Sequence, residues 1–134
     1  MIKILLADDS APILAQASLS LMEAGFSVTS TNNGAHVLAV LASNEKPDLL
    51  ILDLNMPGRA GRQVLASVIE ATPPIILISG DLIHPRDVRH RAVVGVLTKP
   101  FDQTALLGAV SRALKIKLPA AREVSREMIQ DAGF

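Results

Sequence analysis

Apolar segments alternate with segments of helical periodicity along most of this chain, and that alternation restricts the fold more than any other feature of the sequence. Four runs are rich enough in branched apolar residues to form strands buried on both faces. A fifth run alternates apolar and polar residues, as a half-exposed strand near a sheet edge does. The buried strands are predicted at Ile2–Ala7, Leu49–Leu54, Pro74–Ser79 and Val93–Thr98, and the half-exposed strand at Phe26–Asn32.

The segments between these strands have the residue spacing of amphipathic helices. Helices are predicted at Pro12–Ala24, Ala35–Ser43, Gly61–Ala71, Arg86–Ala92 and Gln103–Lys115. Because strand and helix alternate five times, we expect parallel strands joined by right-handed crossovers. The predicted fold class is therefore α/β, a doubly wound parallel sheet of five strands flanked by five helices.

Composition excludes several classes of function. The chain has 134 residues, which fits one domain, and its 13 basic and 13 acidic side chains give a formal net charge of zero. No global charge therefore indicates a nucleic acid or an anionic membrane as a partner. The absence of cysteine excludes disulfides, thiol catalysis and cysteine-ligated zinc. No apolar run approaches the length of a membrane span, and we expect a cytoplasmic protein with neither a membrane nor a direct nucleic-acid partner.

A carboxylate, Asp53, stands at the end of one strand that is otherwise apolar, although a lone buried carboxylate is costly. Ligands of open α/β sheets bind outside the carboxyl ends of the strands. The other predicted central strands are followed there by Asp8-Asp9, or end in Ser79 or just before Lys99. Carboxylates crowded at one edge repel one another unless a cation joins them, and all-oxygen ligation suits Mg²⁺ or Mn²⁺.

Four short motifs in this order resemble the receiver domain of two-component response regulators. They are Asp8-Asp9, Asp53 followed by "LNMPGRAG", Ser79-Gly80 and Lys99-Pro100-Phe101. The resemblance covers nearly the whole chain and implies a flavodoxin-like sheet with strand order 2-1-3-4-5. We assign residues 1–117 to the receiver domain and residues 118–134 to a C-terminal helical tail or the start of a linker.

The resemblance implies a phosphoacceptor and a metal site. Asp53 would take a phosphoryl group from a phosphohistidine of a histidine kinase or a histidine phosphotransfer protein. Asp8, Asp9, Asp53 and the backbone carbonyl of Asn55 would hold Mg²⁺, with Mn²⁺ as the substitute. Asp9 would be the more direct ligand, and Asp8 would act partly through water.

The resemblance also implies groups that bind and report the phosphoryl group. The Ser79 hydroxyl and Gly80 would bind it, and Lys99 would neutralise its charge. Pro100 would follow a cis peptide bond that directs Lys99 inward. Val96 occupies the switch position where receivers usually carry a Tyr or Phe, so the response at the surface would need something other than an aromatic rotamer.

The predicted function is a signalling receiver that acts through contact with an unknown downstream protein, and not an enzyme beyond its own phosphotransfer and autodephosphorylation. No helix-turn-helix pattern or basic cluster indicates DNA binding, so a stand-alone receiver is predicted. The sequence leaves open whether the tail packs on the domain, pairs two copies as a homodimer or is the start of a linker.

Other interpretations of the same residues remain open at this stage. Asp8-Asp9 taken alone could cap a helix, and the basic run from Arg86 to Arg91 could be a solvated helix face or a docking patch. A pseudo-receiver would use the same fold only as an interaction platform. A phosphatase with an aspartate nucleophile would typically place a second acid two positions after it, where this chain has Asn55.

Overall fold

The protein, described here from a computed structural model over residues 1–68, 73–80 and 83–118, contains one parallel sheet within those residues. The strands are β1 (Lys3–Ala7), β2 (Ser27–Thr31), β3 (Leu49–Asp53), β4 (Ile75–Ser79) and β5 (Val93–Thr98). Each neighbouring pair is parallel, and the strand order is β2-β1-β3-β4-β5. The predicted flavodoxin-like α/β fold is confirmed.

Five helices connect and flank these strands in the described part of the chain. They are α1 (Ala11–Glu23), α2 (Gly34–Ala42), α3 (Ala60–Ser67), α4 (Pro85–Val88) and α5 (Gln103–Leu114), and a 3₁₀ turn at Pro57–Arg59 precedes α3. Within the described residues, none of these helices combines the length and apolar character that crossing a membrane requires.

The predicted helix bounds differ from the observed ones mainly around α3 and α4. Helix α3 ends at Ser67, whereas a helix to Ala71 was predicted, and residues 69–71 lie outside the described residues. Helix α4 is a single turn that ends at Val88, because the backbone N–H of Arg89 bonds back to carbonyls of that turn and the chain then turns toward β5. The predicted fourth helix was short, but the observed one is shorter still.

Side-chain caps fix the starts of the longer helices. The Ser10 hydroxyl accepts from Ile13 N at 3.4 Å at the start of α1. The Asp102 carboxylate accepts from Ala105 N at 2.7 Å at the start of α5. A good cap stabilises a helix by about 1 kcal/mol. Because Ser10 fills this role for α1, capping does not account for the two acids that precede it.

Two apolar layers enclose the sheet and explain why its central strands are nearly continuous apolar runs. Alternate residues of each strand face opposite layers. The layer under α1 and α5 contains Ile4, Leu6, Leu49, Ile51, Ile76 and Ile78, and the layer under α2 and α3 contains Leu5, Leu50, Leu52, Ile75 and Leu77. All of these side chains are at most 1% exposed. In the central strands β1, β3 and β4, polar side chains therefore lie only at the strand ends, and the carboxyl ends are where the candidate site lies.

The proposed boundary between domain and tail stays a prediction. Ile116 and Leu118, near the end of the described residues, still pack on the layer under α1 and α5. The rest of the predicted tail at 118–134, including its helical segment, lies outside the described residues.

Replacing Gly61 with Ala should destabilise the domain. Gly61 lies in α3 directly beneath the end of β3, and a Cβ there would collide with the carbonyl oxygen of Asp53 and stand 2.7 Å from the Cα of Leu54. Backbone atoms cannot move aside as a side-chain end can, so α3 must shift away from the strand. We expect a loss of about 1–3 kcal/mol in the free energy of unfolding, measured by urea denaturation.

The matched control is Gly108→Ala in α5. A Cβ at Gly108 meets only Nη1 of Arg112, at 3.3 Å, which is the far end of a flexible side chain. Because glycine in a helix interior is less favourable than alanine, this variant should gain about 0.5–1 kcal/mol. Equal changes in the two variants would contradict the close approach inferred for Gly61.

Candidate functional site

The carboxyl ends of four neighbouring strands meet at one edge of the sheet and bring the predicted polar residues together. Asp8 follows β1, Asp53 and Ser79 are the last residues of β3 and β4, and Lys99 follows β5. Asp8 is 0% exposed, Asp53 is 1% exposed and Ser79 is 2% exposed, whereas Asp9 is exposed. The site is thus a largely buried acidic group with an opening on the side of Asp9.

Lys99 joins the two buried carboxylates. Its Nζ lies 3.1 Å from Oδ2 of Asp53 and 3.0 Å from Oδ2 of Asp8. Burial by itself lowers the pKa of Lys99, but the hydrogen bonds and negative charges of Asp8 and Asp53 outweigh it, and the pKa is raised. Lys99 therefore stays a cation between two acids. The peptide bond from Lys99 to Pro100 is cis, as the resemblance implied.

One lysine does not fully compensate the two buried acids. Burial raises the pKa of Asp53, and the charge of Asp8 raises it further. The backbone N–H of Asn55, which donates to Oδ1 of Asp53 at 2.9 Å, and Lys99 lower that pKa, but the net shift is upward. The ionised form of Asp53 is therefore less favourable here than in water, and additional positive charge would stabilise it.

The acidic residues fit a divalent cation. Asp8, Asp9 and Asp53 each offer a carboxylate oxygen, and these three oxygens lie within 4.8 Å of one another. Oδ2 of Asp8 is buried and accepts no hydrogen bond, although it forms an ion pair with Lys99. Hard oxygen donors of this kind suit Mg²⁺ or Mn²⁺. Which of them would be direct ligands, and whether the carbonyl of Asn55 would join them, stay predictions.

The side chain of Asn55 has a role that the sequence interpretation missed. Its Nδ2 donates to Oγ of Ser79 at 2.8 Å, while its backbone N–H donates to Asp53. Asn55 is exposed, so this bridge lies at the solvent side of the site. Gly80 follows Ser79 and is also exposed, with Cβ of Lys99 at 4.0 Å from the position that a Gly80 Cβ would occupy. The position of Asn55 two residues after Asp53 could have indicated a side-chain contact at the site. The sequence interpretation assigned a role only to the backbone carbonyl of Asn55.

One residue near the site differs from what the sequence indicated. Asp87, inside the basic run assigned to a solvated helix face, is 6% exposed and forms an ion pair with Arg62, at 2.8 Å between Oδ2 and Nη1. That contact ties α4 to α3. Val96, the predicted switch position, pairs with Leu77 in the sheet and is 39% exposed. Its proposed part in switching stays a prediction.

Replacing Asp53 with Asn should stabilise the metal-free protein. Because the pKa of Asp53 is raised in the folded state, the folded chain holds this proton more tightly than the unfolded chain does. The stabilising contribution is complete below the unfolded-state pKa and is lost as the pH rises through the folded-state pKa. Asparagine has no ionised form and escapes that loss. We expect a melting temperature in EDTA a few degrees above that of the wild type at about pH 7, with the difference shrinking toward about pH 4.

Asp9→Asn is the control for this comparison, since it removes an exposed carboxylate of the same group that remains hydrated in the folded state. It should change the melting temperature much less. A wild-type protein that is at least as stable as Asp53→Asn near neutral pH would show that the buried acid carries no such cost.

Comparison with known proteins agrees with this geometry. Residues 4–111 match the family model of the response regulator receiver domain. The chain is 36% identical over 130 residues to the transcriptional regulatory protein GlrR of Escherichia coli, covering 94% of this chain and 29% of GlrR. It is 30% identical over 120 residues to protein PilH of Pseudomonas aeruginosa, covering 85% of this chain and 98% of PilH. The chain thus spans less than a third of GlrR but nearly all of PilH.

Solved structures give the same assignment. A response regulator receiver protein from Burkholderia phymatum superposes with a TM-score of 0.77 at 27% identity, covering 89% of this chain and 99% of that one. The chemotaxis response regulator CheY4 of Vibrio cholerae gives a TM-score of 0.75 at 29% identity, covering 85% and 99%. Receiver domains are phosphoacceptor signalling domains of two-component systems, which interact with histidine kinases and downstream proteins. With its sheet order, its buried acids and this family match, the chain belongs to the response regulator receiver domain family.

Proposed function

We propose that Asp53 accepts a phosphoryl group from a phosphohistidine of a histidine kinase or histidine phosphotransfer protein in a Mg²⁺-dependent reaction. The observation that carries this proposal is the environment of Asp53. It is a buried carboxylate with a raised pKa, joined to Lys99 and grouped with two further acids. A receiver whose acids were only structural would have no need of a buried acidic group that is only partly compensated.

The transfer balances without another reactant. A carboxylate oxygen of Asp53 forms a bond to phosphorus while the bond from phosphorus to the donor imidazole nitrogen breaks. The imidazole leaves with that electron pair and takes up a proton from solvent water. The product is an acyl phosphate on Asp53. Attack of water on its phosphorus returns the carboxylate and releases inorganic phosphate, which is the autodephosphorylation that ends the signal.

The protein contributes position and charge rather than covalent chemistry. Lys99 already contacts Oδ2 of Asp53 and would neutralise an oxygen of the incoming group. The Ser79 hydroxyl would donate to another phosphoryl oxygen, and the backbone of Gly80 lies beside it. The hydrogen bond from Asn55 holds Oγ of Ser79 within this edge of the sheet before transfer.

Asp8, Asp9 and Asp53 would hold the Mg²⁺, together with the carbonyl of Asn55. When bound, the ion supplies positive charge that offsets both the carboxylates and the phosphoryl oxygens. Oδ2 of Asp8 accepts no hydrogen bond and has room for a further cation besides Lys99, and the net upward shift of the Asp53 pKa also favours such an ion.

The output would be a change in contact with a downstream protein. Helix α4 and strand β5 lie next to the site, and exposed Val88, Val94 and Val96 give this side an apolar surface. Because Val96 replaces the usual aromatic residue, we infer that the response passes through the backbone and the Arg62–Asp87 ion pair rather than through an aromatic rotamer.

Intact-mass measurement tests the proposed chemistry. Incubation with Mg²⁺ and phosphoramidate, which delivers a phosphoryl group as phosphohistidine does, should add a single phosphoryl mass to the wild type. Asp53→Asn should add none. Chelation of the metal should slow the reaction at least tenfold, since the charge that offsets the acids is then missing.

One conservative variant tests the role of Lys99, and the behaviour of the wild type separates this function from the alternatives. Lys99→Arg keeps the positive charge but not the point geometry of an ammonium, and it should react more slowly than the wild type. Failure of the wild type to gain mass under any of these conditions would favour a phosphorylation-independent interaction platform. Repeated turnover of simple phosphate esters would instead indicate a phosphatase.

A further inference from the structure

A pocket of about 420 Å³ lies beside the acidic group and has no part in the chemistry described above. It is lined by Leu54, Asn55, Met56, Arg62 and Arg86. Its volume falls in the range of sites for small molecules. Leu54 and Asn55 directly follow Asp53 in the chain, and the side chain of Asn55 contacts Ser79, so the pocket adjoins the phosphoacceptor edge.

Among the described residues, the two charged ones that line this pocket are both arginines. Arg62 donates through Nη1 to Asp87, and that bond uses only part of a guanidinium that carries several N–H donors. Asp87 is buried and is not among the lining residues, so it orients Arg62 without facing the pocket. Arg86 is exposed on the first turn of α4. The pocket wall therefore presents guanidinium groups.

The acidic group beside this pocket suggests a function for the two arginines in the approach of an anion. It holds three carboxylates and one lysine, so an anion that approaches it directly is repelled. A phosphodonor is itself an anion. Guanidinium groups bind phosphate oxygens through paired hydrogen bonds, and local positive charge accelerates the association of anions.

We propose that the pocket between Arg62 and Arg86 is an oxyanion subsite that binds the phosphoryl group of an incoming small phosphodonor, such as an acyl phosphate, before it reaches Asp53. The use of the subsite in transfer rests on the proposed phosphoacceptor function. The binding of an oxyanion in the pocket does not, because it depends only on the two arginines.

Binding is measured first, on protein that cannot react. Inorganic phosphate is titrated into metal-free Asp53→Asn protein at low ionic strength, and backbone amide shifts are followed by NMR. We expect saturable shifts at Asn55, Met56, Arg62 and Arg86. Arg86→Gln in this background should weaken the binding roughly three- to tenfold, since one guanidinium contact is lost.

Arg89→Gln is the matched control, because Arg89 is an exposed arginine that follows the same helix turn and does not line the pocket. It should leave phosphate binding unchanged. Shifts located away from the pocket, or equal effects of Arg86→Gln and Arg89→Gln, would overturn the subsite.

Kinetics on the reactive protein test the use of the subsite. With acetyl phosphate and saturating Mg²⁺, Arg86→Gln should raise the donor concentration for half-maximal rate roughly three- to tenfold and leave the maximal rate unchanged. The difference should fade at about 0.5 M salt, where charges are screened within a few ångströms. An Arg86→Gln protein that matches the wild type at low donor concentration and low salt would overturn the proposal. Absence of phosphorylation in every variant, with phosphate binding intact, would instead overturn the phosphoacceptor function and leave the anion site standing.

Discussion

The contact of the Lys99 ammonium with two buried carboxylates is the interaction on which the rest of the site depends. It joins the carboxyl ends of β1, β3 and β5, and it lets Asp8 and Asp53 lie together inside the domain. Removing the lysine would leave two buried carboxylates without their cation, which is among the more costly changes in a protein. The edge of the sheet that carries the family's phosphoacceptor is therefore also a place where repulsion between buried carboxylates is only partly offset.

This partly offset repulsion between the buried carboxylates connects the fold to the proposed chemistry. Two apolar layers exclude water from the central strands, so the polar side chains of these strands lie at their ends. The backbone at Asp53 and Leu54 is also in close contact with Gly61, which limits how far this edge of the sheet can move. The acids remain only partly compensated, which favours a bound cation and then an incoming phosphoryl group. Lys99 supplies one positive charge to this acidic group. We propose two further sources, the bound Mg²⁺ and the pocket that Arg62 and Arg86 line.

The sequence predicted the features that follow from periodicity and from motifs. Apolar runs located four strands and an alternating run located the fifth. The motif residues predicted that the two acids and the lysine would meet, although Lys99 lies 91 positions after Asp8 and 46 positions after Asp53. The contacts of Asn55 with Ser79 and of Arg62 with Asp87 could not be predicted in that way. Both are contacts between polar side chains 24 and 25 positions apart, and apolar periodicity does not indicate which polar atoms meet across such a separation. For the same reason Asp87 was placed on a solvated face, although a partner on α3 allows its burial.

Chemical trapping of the phosphoryl group is the most direct test of the central claim, because it identifies the residue and not only the mass. Borohydride reduces an acyl phosphate of aspartate to homoserine, which peptide sequencing by mass spectrometry locates. After reaction with phosphoramidate and Mg²⁺, the account predicts homoserine at position 53 and aspartate at positions 8 and 9. Homoserine at position 8 or 9, or none at all in protein that has gained a phosphoryl mass, would contradict the assignment of Asp53 as the acceptor.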